Sequence, residues 1–194
     1  MERLRPHRQS SIEPAGPTLL AEINNLKAII GHFSEFSKMP QPQRQPTQVN
    51  DVVQSVLRVF QAQLQAKSPI SVHSELAATL PEISADPDLL HRALSNLVLN
   101  AIDAMRQGGE LAIRTKAIGD RVEISVSDTG SGLTPEECAR LFTPYYTTKQ
   151  HGTGLGLAIV QSVVSDHGGK ISVESAKEKG TTFRIDLPCD AQPS

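Results

Sequence analysis

Two glycine-rich segments, in this order, constrain the chain more than any other feature of its sequence. The first, DTGSG, occupies residues 128–132, and the second, GTGLG, occupies residues 152–156 and continues into the apolar run LAIV. Glycine has no Cβ and tolerates positive φ, so such loops let the backbone approach a charged ligand closely. The apolar run predicts a helix beginning near Gly156, whose N-terminus would present free N–H groups and partial positive charge. The pattern therefore predicts a phosphate-binding loop that leads into a helix.

Composition narrows the class of protein. The chain has 194 residues, 38% of them hydrophobic, which suffices for one full domain with an appendage. A net charge of −2 gives no basic field for nucleic acid. No apolar run approaches the ~20 residues of a membrane span, and the two cysteines lack the spacing of metal ligands. We therefore expect a cytoplasmic chain that contacts neither nucleic acid nor membrane.

Prolines divide the chain at residues 40–46, PQPQRQP. Before them, residues 18–39 repeat apolar side chains at alternating three- and four-residue spacing, as in a helix of a bundle. Such a helix needs a partner helix to cover its apolar face. We expect residues 1–46 to comprise a flexible start, a helix over about 18–39 and a proline-rich linker, with a second domain over 47–194.

The second domain alternates between helical and strand patterns. Asn50 can cap its first helix, Asp86-Pro87 opens another, and Gly119-Asp120 connects a hairpin. Helices are expected over about residues 50–67, 87–107, 135–141 and 156–167, and strands over about 70–76, 111–117, 121–127, 170–175 and 181–187. These elements predict an α+β fold, a two-layer α/β sandwich on a mixed sheet with helices covering one face.

Polar residues at two places point to ligand chemistry. Asn96, Asn100 and Asp103 lie at i, i+4 and i+7 of the helix over 87–107, forming one stripe. Carboxamide oxygens suit a Mg²⁺ ion that also contacts phosphate, although a solvated helix face is the alternative. Asp128 ends a strand beside a glycine turn, where its carboxylate could accept a hydrogen bond from adenine N6 or simply cap the turn.

Between the glycine segments lies FTPYYTTK, residues 142–149. A polar, threonine-rich stretch of this kind suits a mobile lid over a nucleotide, and an ordinary long loop is the alternative. Lys149 could pair with a terminal phosphate or remain solvated.

These segments together resemble the catalytic ATP-binding domain of bacterial sensor histidine kinases. In the order of that family's N, first glycine, F, second glycine and third glycine boxes, the chain has NLVLNAIDA at 96–104, residues 128–132, 142–149 and 152–156, and GTTF at 180–183. The resemblance covers about residues 47–188 and implies the fold of the histidine kinase, gyrase and Hsp90 ATPases, the Bergerat fold. Residues 18–39 resemble the second helix of the kinase dimerisation domain, especially in nitrogen-regulation-type kinases.

The resemblance implies ATP and Mg²⁺ as cofactors and assigns roles to individual residues. Asn100, helped by Asn96, would hold Mg²⁺, Asp128 would read adenine and Thr182 would support the adenine end. Asn100 and Lys149 would act in catalysis. The further residues expected to contact the nucleotide or shape its pocket and lid are Asp103, Gly130, Gly132, Gly152, Thr153, Gly154, Leu155 and Gly156.

The family transfers the γ-phosphoryl group of ATP to a histidine that is followed by an acidic residue and Asn-Pro. No histidine here matches: His7 precedes Arg8 and Gln9, and His32 lies in the 18–39 helix. We therefore expect the sequence to begin after the acceptor and not to autophosphorylate alone. In the full-length parent, the resemblance implies a homodimer through the N-terminal helix and a response regulator receiver domain as partner. An inner-membrane anchor in the parent is compatible with it.

Two other functions compete with this interpretation. An ATP-operated dimer clamp of the gyrase or Hsp90 kind needs a catalytic glutamate on the asparagine-bearing helix, but Asn96 stands there, and no glutamate occurs between Asp86 and Gln107. A non-catalytic nucleotide-sensing module would keep the pocket and signal through the helix over residues 18–39.

Overall fold

The computed structural model describes residues 41–66, 70–149 and 152–189. The helix expected over residues 18–39 lies outside the described residues. The elements in chain order are β1 Gln45–Thr47, α1 Val49–Ala66, β2 Ile70–Leu76, β3 Ile83–Ala85, α2 Pro87–Ala104, β4 Gly109–Ile118, β5 Arg121–Asp128, α3 Pro135–Arg140, α4 Gly156–Asp166, β6 Lys170–Ser175 and β7 Thr181–Pro188. Among these, no helix combines the length and apolarity that crossing a membrane would require.

A five-stranded mixed sheet carries the domain, in the order β2-β4-β5-β7-β6. β2 pairs with β4 in parallel, whereas β4 with β5, β5 with β7, and β7 with β6 are antiparallel. The parallel pair requires a crossover, and α2 lies within it. A separate two-stranded antiparallel sheet joins β1 to β3, so the expected proline-rich linker ends in a strand, an element that the sequence analysis missed.

One face of the sheet is buried beneath the helices. Alternate residues of β5 and β7 point into the core, because successive side chains of a strand face opposite sides. The buried apolar residues of these two strands are Val122, Ile124, Val126, Phe183, Ile185 and Leu187. Helices α1, α2 and α4 contact β2, β5 and β6 respectively. The two-layer α/β sandwich expected from the sequence is confirmed.

The helix ends follow capping chemistry. Asp86 accepts hydrogen bonds from the amides of Asp88 and Leu89 at the start of α2, and Thr134 opens α3 with a capping box. α2 ends at Ala104 rather than near Gln107, since Met105 leaves the helical conformation at φ −104 and ψ 51 and its side chain is buried. The glycines after it therefore belong to a turn and to β4.

Asn50 and β2 both differ from expectation, Asn50 because of long-range contacts. Asn50 lies inside the first turn of α1, where its amide donates to Ala77 O at 2.9 Å and its Oδ1 accepts from Thr115 Oγ1 at 2.8 Å. β2 was expected to be half-buried, but its central residues are exposed because it forms an edge of the sheet. Leu57, expected in the core, is only half-buried.

Candidate functional site

A cleft of about 1020 Å³ opens between the C-terminal part of α2, the loop after β5 and the segment that leads into α4. The segments selected from the sequence meet in it. The predicted site residues that line the cleft are Asn96, Asn100, Asp103, Asp128, Gly130, Gly132, Lys149, Gly152, Thr153, Gly154 and Gly156. The first and last of these residues are more than fifty positions apart in the sequence, so the fold brings them together.

Asp128 forms a buried acceptor on one wall of the cleft. β5 delivers it to the sheet end on the same face as the apolar core residues, and it is 9% exposed. Burial raises the pKa of its carboxyl group, and backbone hydrogen bonds from Gly130 and Thr181 offset part of this effect. The bond from Gly130 N measures 2.8 Å. Asp128 therefore caps the glycine turn, and it also lines the cleft.

The first and third glycine segments pack backbone against backbone beside Asp128. Gly132 and Gly180 have φ values of 62° and 82°, a region that favours glycine. A Cβ on Gly132 would collide with the carbonyl group of Ala176, and a Cβ on Gly180 would collide with that of Asp128. These contacts hold the wall of the cleft in a conformation that no larger residue would permit.

The polar stripe of α2 also lines the cleft. The Lys149 ammonium group donates to Asn100 Oδ1 at 2.8 Å and to Asp103 Oδ2 at 2.7 Å. Asn96 donates its amide to Arg92 O at 3.1 Å. An added Cβ on Gly156 would lie 3.2 Å from Asn96 Oδ1, so the start of α4 closely approaches this carboxamide. The stripe thus faces the cleft and is not merely solvated.

The segment over residues 142–149 is fastened to the second glycine loop. Tyr145 N donates to Gly154 O at 3.0 Å, and Gly152 N donates to Lys149 O at 3.2 Å. Tyr145 and Gly154 both have positive φ, 65° and 67°. A non-glycine residue in this region stores backbone strain, and such strain clusters at ligand-binding and switch segments.

Two predicted contacts lie outside the cleft lining. The Thr182 side chain donates to Ser127 Oγ at 3.0 Å on the other face of the sheet, and Leu155 is buried in the core. Thr181 and Phe183 line the cleft instead. Side chains alternate between the two faces of a strand, so Thr181 lies on the same face as the apolar residues Phe183, Ile185 and Leu187, and Thr182 lies on the other face. The apolar pattern of β7 was the signal that the motif comparison overlooked.

Met105 is a further lining residue that the sequence analysis missed. It is 2% exposed and lies at the cleft floor, where it ends α2. Its sulfur lies 4.0 Å from Thr129 Oγ1. Together with Phe183 it gives this end of the cleft an apolar surface suited to a flat ring.

The oxygen donors of the cleft fit Mg²⁺ only in company with a phosphate ligand. Among the residues that the structure describes, no group of three or more His, Cys, Asp or Glu side chains could hold a metal ion. Asn96 and Asn100 offer neutral carboxamide oxygens, and Asn100 Oδ1 already accepts from a cation, the Lys149 ammonium group. Mg²⁺ typically takes one or two protein oxygens and completes its shell with water and substrate phosphates. The donor set is compatible with that mode.

Comparison with known proteins agrees with this arrangement. A family model described as histidine kinase-, DNA gyrase B- and HSP90-like ATPase matches residues 85–191. Sensor histidine kinase ZraS of Salmonella typhimurium is 39% identical over 172 residues, covering 88% of this chain. The chain spans only 37% of the length of that relative.

Solved structures share the fold. The catalytic domain of histidine kinase ThkA has a TM-score of 0.69 at 29% identity, over 75% of this chain and 95% of that one. ThkA in complex with the response regulator protein TrrA has a TM-score of 0.74 at 24% identity, over 95% and 53% of the two chains. Full-length ShkA in complex with AMPPNP has a TM-score of 0.77 at 25% identity, over 97% and 41%.

The family match covers more than half of the sequence and includes every segment that lines the cleft. ZraS and ThkA are both named histidine kinases. The chain therefore belongs to the histidine kinase-, DNA gyrase B- and HSP90-like ATPase family, whose members bind ATP.

Proposed function

We propose that this chain contains the catalytic ATP-binding domain of a two-component sensor histidine kinase, which holds Mg²⁺-ATP and transfers its γ-phosphoryl group to a histidine. One observation supports the proposal most: a single cleft is lined both by a buried carboxylate, Asp128, and by a carboxamide stripe with a lysine. The first suits a purine amine, and the second suits a metal-bound phosphate chain.

The adenine ring would lie at the Asp128 end. The Asp128 carboxylate accepts a hydrogen bond from the exocyclic amine, and Met105 and Phe183 supply apolar contact with the ring faces. We assign the supporting hydroxyl to Thr181 rather than Thr182, because Thr181 lines the cleft. Its Oγ1 lies 2.9 Å from Ser175 Oγ, which fixes its rotamer.

The triphosphate would extend towards α2 and α4. Asn100, with Asn96, would hold Mg²⁺ by carboxamide oxygens, and the ion would supply positive charge beside the phosphate chain. The N-terminus of α4, which begins at Gly156, would contribute its partial positive charge to phosphate binding. As the lid segment closes and excludes water, the Lys149 ammonium group leaves Asn100 and Asp103 and pairs with the terminal phosphate. Transfer then depends on positioning and charge neutralisation, not on a covalent intermediate.

The remaining partners follow from this assignment. None of the six histidines carries the family's acceptor flanks, so the phosphoryl group passes to a histidine of the parent's dimerisation domain. Residues 18–39 contribute to the homodimer, residues 47–194 form the ATP-binding domain, and a response regulator receiver domain takes the group onwards. The complex of ThkA with TrrA supports this last step. The domain works in the cytoplasm, where ATP is available.

Calorimetric titration with AMPPNP and Mg²⁺ tests the proposal. Wild-type chain should bind, and Asn100→Ala should bind at least about tenfold more weakly, since a charge-assisted contact is worth roughly 1.5–3 kcal/mol. Gln54→Ala, which shortens an exposed carboxamide on α1, is the matched control. Absence of heat with the wild type, or equal binding by Asn100→Ala, would refute the proposal.

A second assay separates the kinase from a clamp ATPase. With radiolabelled ATP, the chain should label a separately supplied dimerisation domain that carries the acceptor histidine. Steady ATP hydrolysis without an acceptor would instead favour the clamp, even though α2 lacks the glutamate such enzymes use.

A further inference from the structure

Asp86 joins three segments at the end of the domain away from the cleft. Its carboxylate accepts from the amides of Asp88 and Leu89 and so caps α2. The same carboxylate accepts from Gln43 N at 2.8 Å. The backbone N–H of Asp86 donates to His167 Nε2 at 2.9 Å. One residue therefore connects the start of α2, the segment entering the domain and the end of α4.

His167 provides the α4 side of this connection. It is 3% exposed and forms the C-terminal cap of α4. Because Nε2 accepts the Asp86 N–H, the neutral ring carries its proton on Nδ1, which donates to Val163 O at 2.6 Å. Both ring nitrogens are thus used, and the ring has one orientation that fulfils them.

The entering segment also holds α4 directly. The Arg44 guanidinium group donates to Asp166 O, the last residue of α4, at 2.6 Å. A cation at a helix C-terminus satisfies a free carbonyl group and interacts favourably with the helix dipole. Residues 43 and 44 consequently contact α2 through Asp86 and α4 through Asp166 at neighbouring positions in the chain.

The two helices reach the cleft at their other ends. Asp86 lies beside His167, and ten residues further along α2 the Asn96 carboxamide lies beside Gly156, the first residue of α4. The helices are therefore antiparallel over this stretch, whose length is roughly 15 Å at 1.5 Å per residue. A helix of this length is stiff, so a change in spacing or tilt at one end is carried to the other.

We propose that Asp86 and His167 form a joint through which the segment at Gln43 and Arg44 sets the spacing of α2 and α4 at the nucleotide cleft. They are positioning residues, because none of them lines the cleft. The inference rests on the proposed function in that it takes Mg²⁺-nucleotide as the ligand. It adds a route by which a change upstream of the domain alters nucleotide binding, and by linkage nucleotide must alter the joint in return.

Variants on the exposed side of the joint provide the test, because His167→Ala removes a buried group and could unfold the domain. Arg44→Ala deletes the contact with α4, and Gln43→Pro deletes the N–H donated to Asp86. Arg58→Ala, at an exposed arginine of α1, is the matched control, and Arg44→Lys tests rescue. Calorimetry measures the Kd for AMPPNP with Mg²⁺, thermal unfolding measures stability, and amide hydrogen exchange follows Gln43 and Asp86 with and without nucleotide.

If the proposal is right, Arg44→Ala and Gln43→Pro should each weaken nucleotide binding about fivefold or more, which is a typical size for coupling between two sites. Arg58→Ala should leave binding unchanged. Arg44→Lys should recover part of the loss. Nucleotide should slow exchange at Gln43 and Asp86 in the wild type. The proposal of a joint is refuted, and the proposed function stands, if both variants bind nucleotide as tightly as the control. The same holds if nucleotide does not change the amide hydrogen exchange of Gln43 and Asp86. Failure of the wild type to bind nucleotide would refute the proposed function itself.

Discussion

The Lys149 ammonium group contacts Asn100 Oδ1, the same oxygen that we assign to Mg²⁺. This overlap leads to a quantitative prediction. The ammonium group also contacts Asp103 Oδ2. A metal ion and an ammonium group on the same carboxamide oxygen would repel each other, so we expect nucleotide binding to release Lys149. Asp103→Asn removes the negative charge that holds Lys149 and leaves the size of the side chain at position 103 nearly unchanged.

The exposure of the pair limits the size of the effect. The side chains of Lys149 and Asp103 are 39% and 53% exposed, and their N–O distance is 2.7 Å. Ion pairs this exposed contribute about 0.2–1 kcal/mol, and less at high salt. Since 1.4 kcal/mol corresponds to tenfold in affinity, loss of this ion pair by itself should strengthen nucleotide binding by no more than about fivefold. Removal of a negative charge near the triphosphate acts in the same direction.

The assay is calorimetry with AMPPNP and Mg²⁺ at two salt concentrations, together with limited proteolysis of the nucleotide-free lid. Asp103→Asn should bind more tightly, the difference should shrink in salt, and cleavage within residues 142–149 should speed up. Glu75→Gln is the matched control, because it breaks the Arg114–Glu75 pair at similar exposure on β2 and β4. Weaker binding by Asp103→Asn would show that Asp103 helps to hold the metal and would refute the reasoning.

Three further predictions concern Thr181, Asp128 and two glycines. Thr181→Ala should weaken nucleotide binding several-fold whereas Thr182→Ala should not, and calorimetry giving the reverse order would contradict our assignment. Burial raises the pKa of Asp128 above its ordinary value, so its favourable contribution to folding is present at low pH and is lost as pH rises through the folded-state pKa. Nucleotide-free Asp128→Asn should therefore be more stable than wild type at pH 7, with an advantage that disappears near pH 4 in urea unfolding, and a constant advantage would contradict the cause given. Gly119→Ala should lower the free energy of unfolding by about 1–2 kcal/mol, because the added Cβ is strained in the left-handed conformation but meets no neighbour. Gly132→Ala should lower it by at least about 2 kcal/mol more, because its Cβ also collides with backbone. Equal melting temperatures of the two variants would exclude that contact.

Local chemistry accounts for what the sequence predicted well. Asp86 and Thr134 cap helices by bonds to amides two or three residues away, and Gly119 turns a hairpin within its own neighbourhood. Such features depend on side chains that are adjacent in sequence. The order and spacing of the glycine segments predicted a phosphate-binding loop, but the packing of Gly132 on Ala176 and of Gly180 on Asp128 joins residues more than forty positions apart.

Contacts between distant residues explain what the sequence did not reveal. The partners of Asn50 are 27 and 65 positions away, so nothing nearby distinguishes its place inside α1 from a cap. β1 has three residues and gains its pairing from β3, too short a strand for any periodic pattern. The contact of Lys149 with Asn100 spans 49 positions and depends on the path of the lid.

The same distances bear on the order in which the domain assembles. The hairpins β4–β5 and β6–β7 close short loops, whereas the cleft needs α2 to meet a segment that follows it by some forty to sixty positions. Short loops close at lower entropic cost and therefore sooner. The cleft should be among the last parts to form and among the first to open, in the least protected cooperative unit of the domain. A nucleotide that binds only the finished cleft would then act as a folding ligand, and it would stabilise destabilised variants by an amount that grows with the logarithm of its concentration.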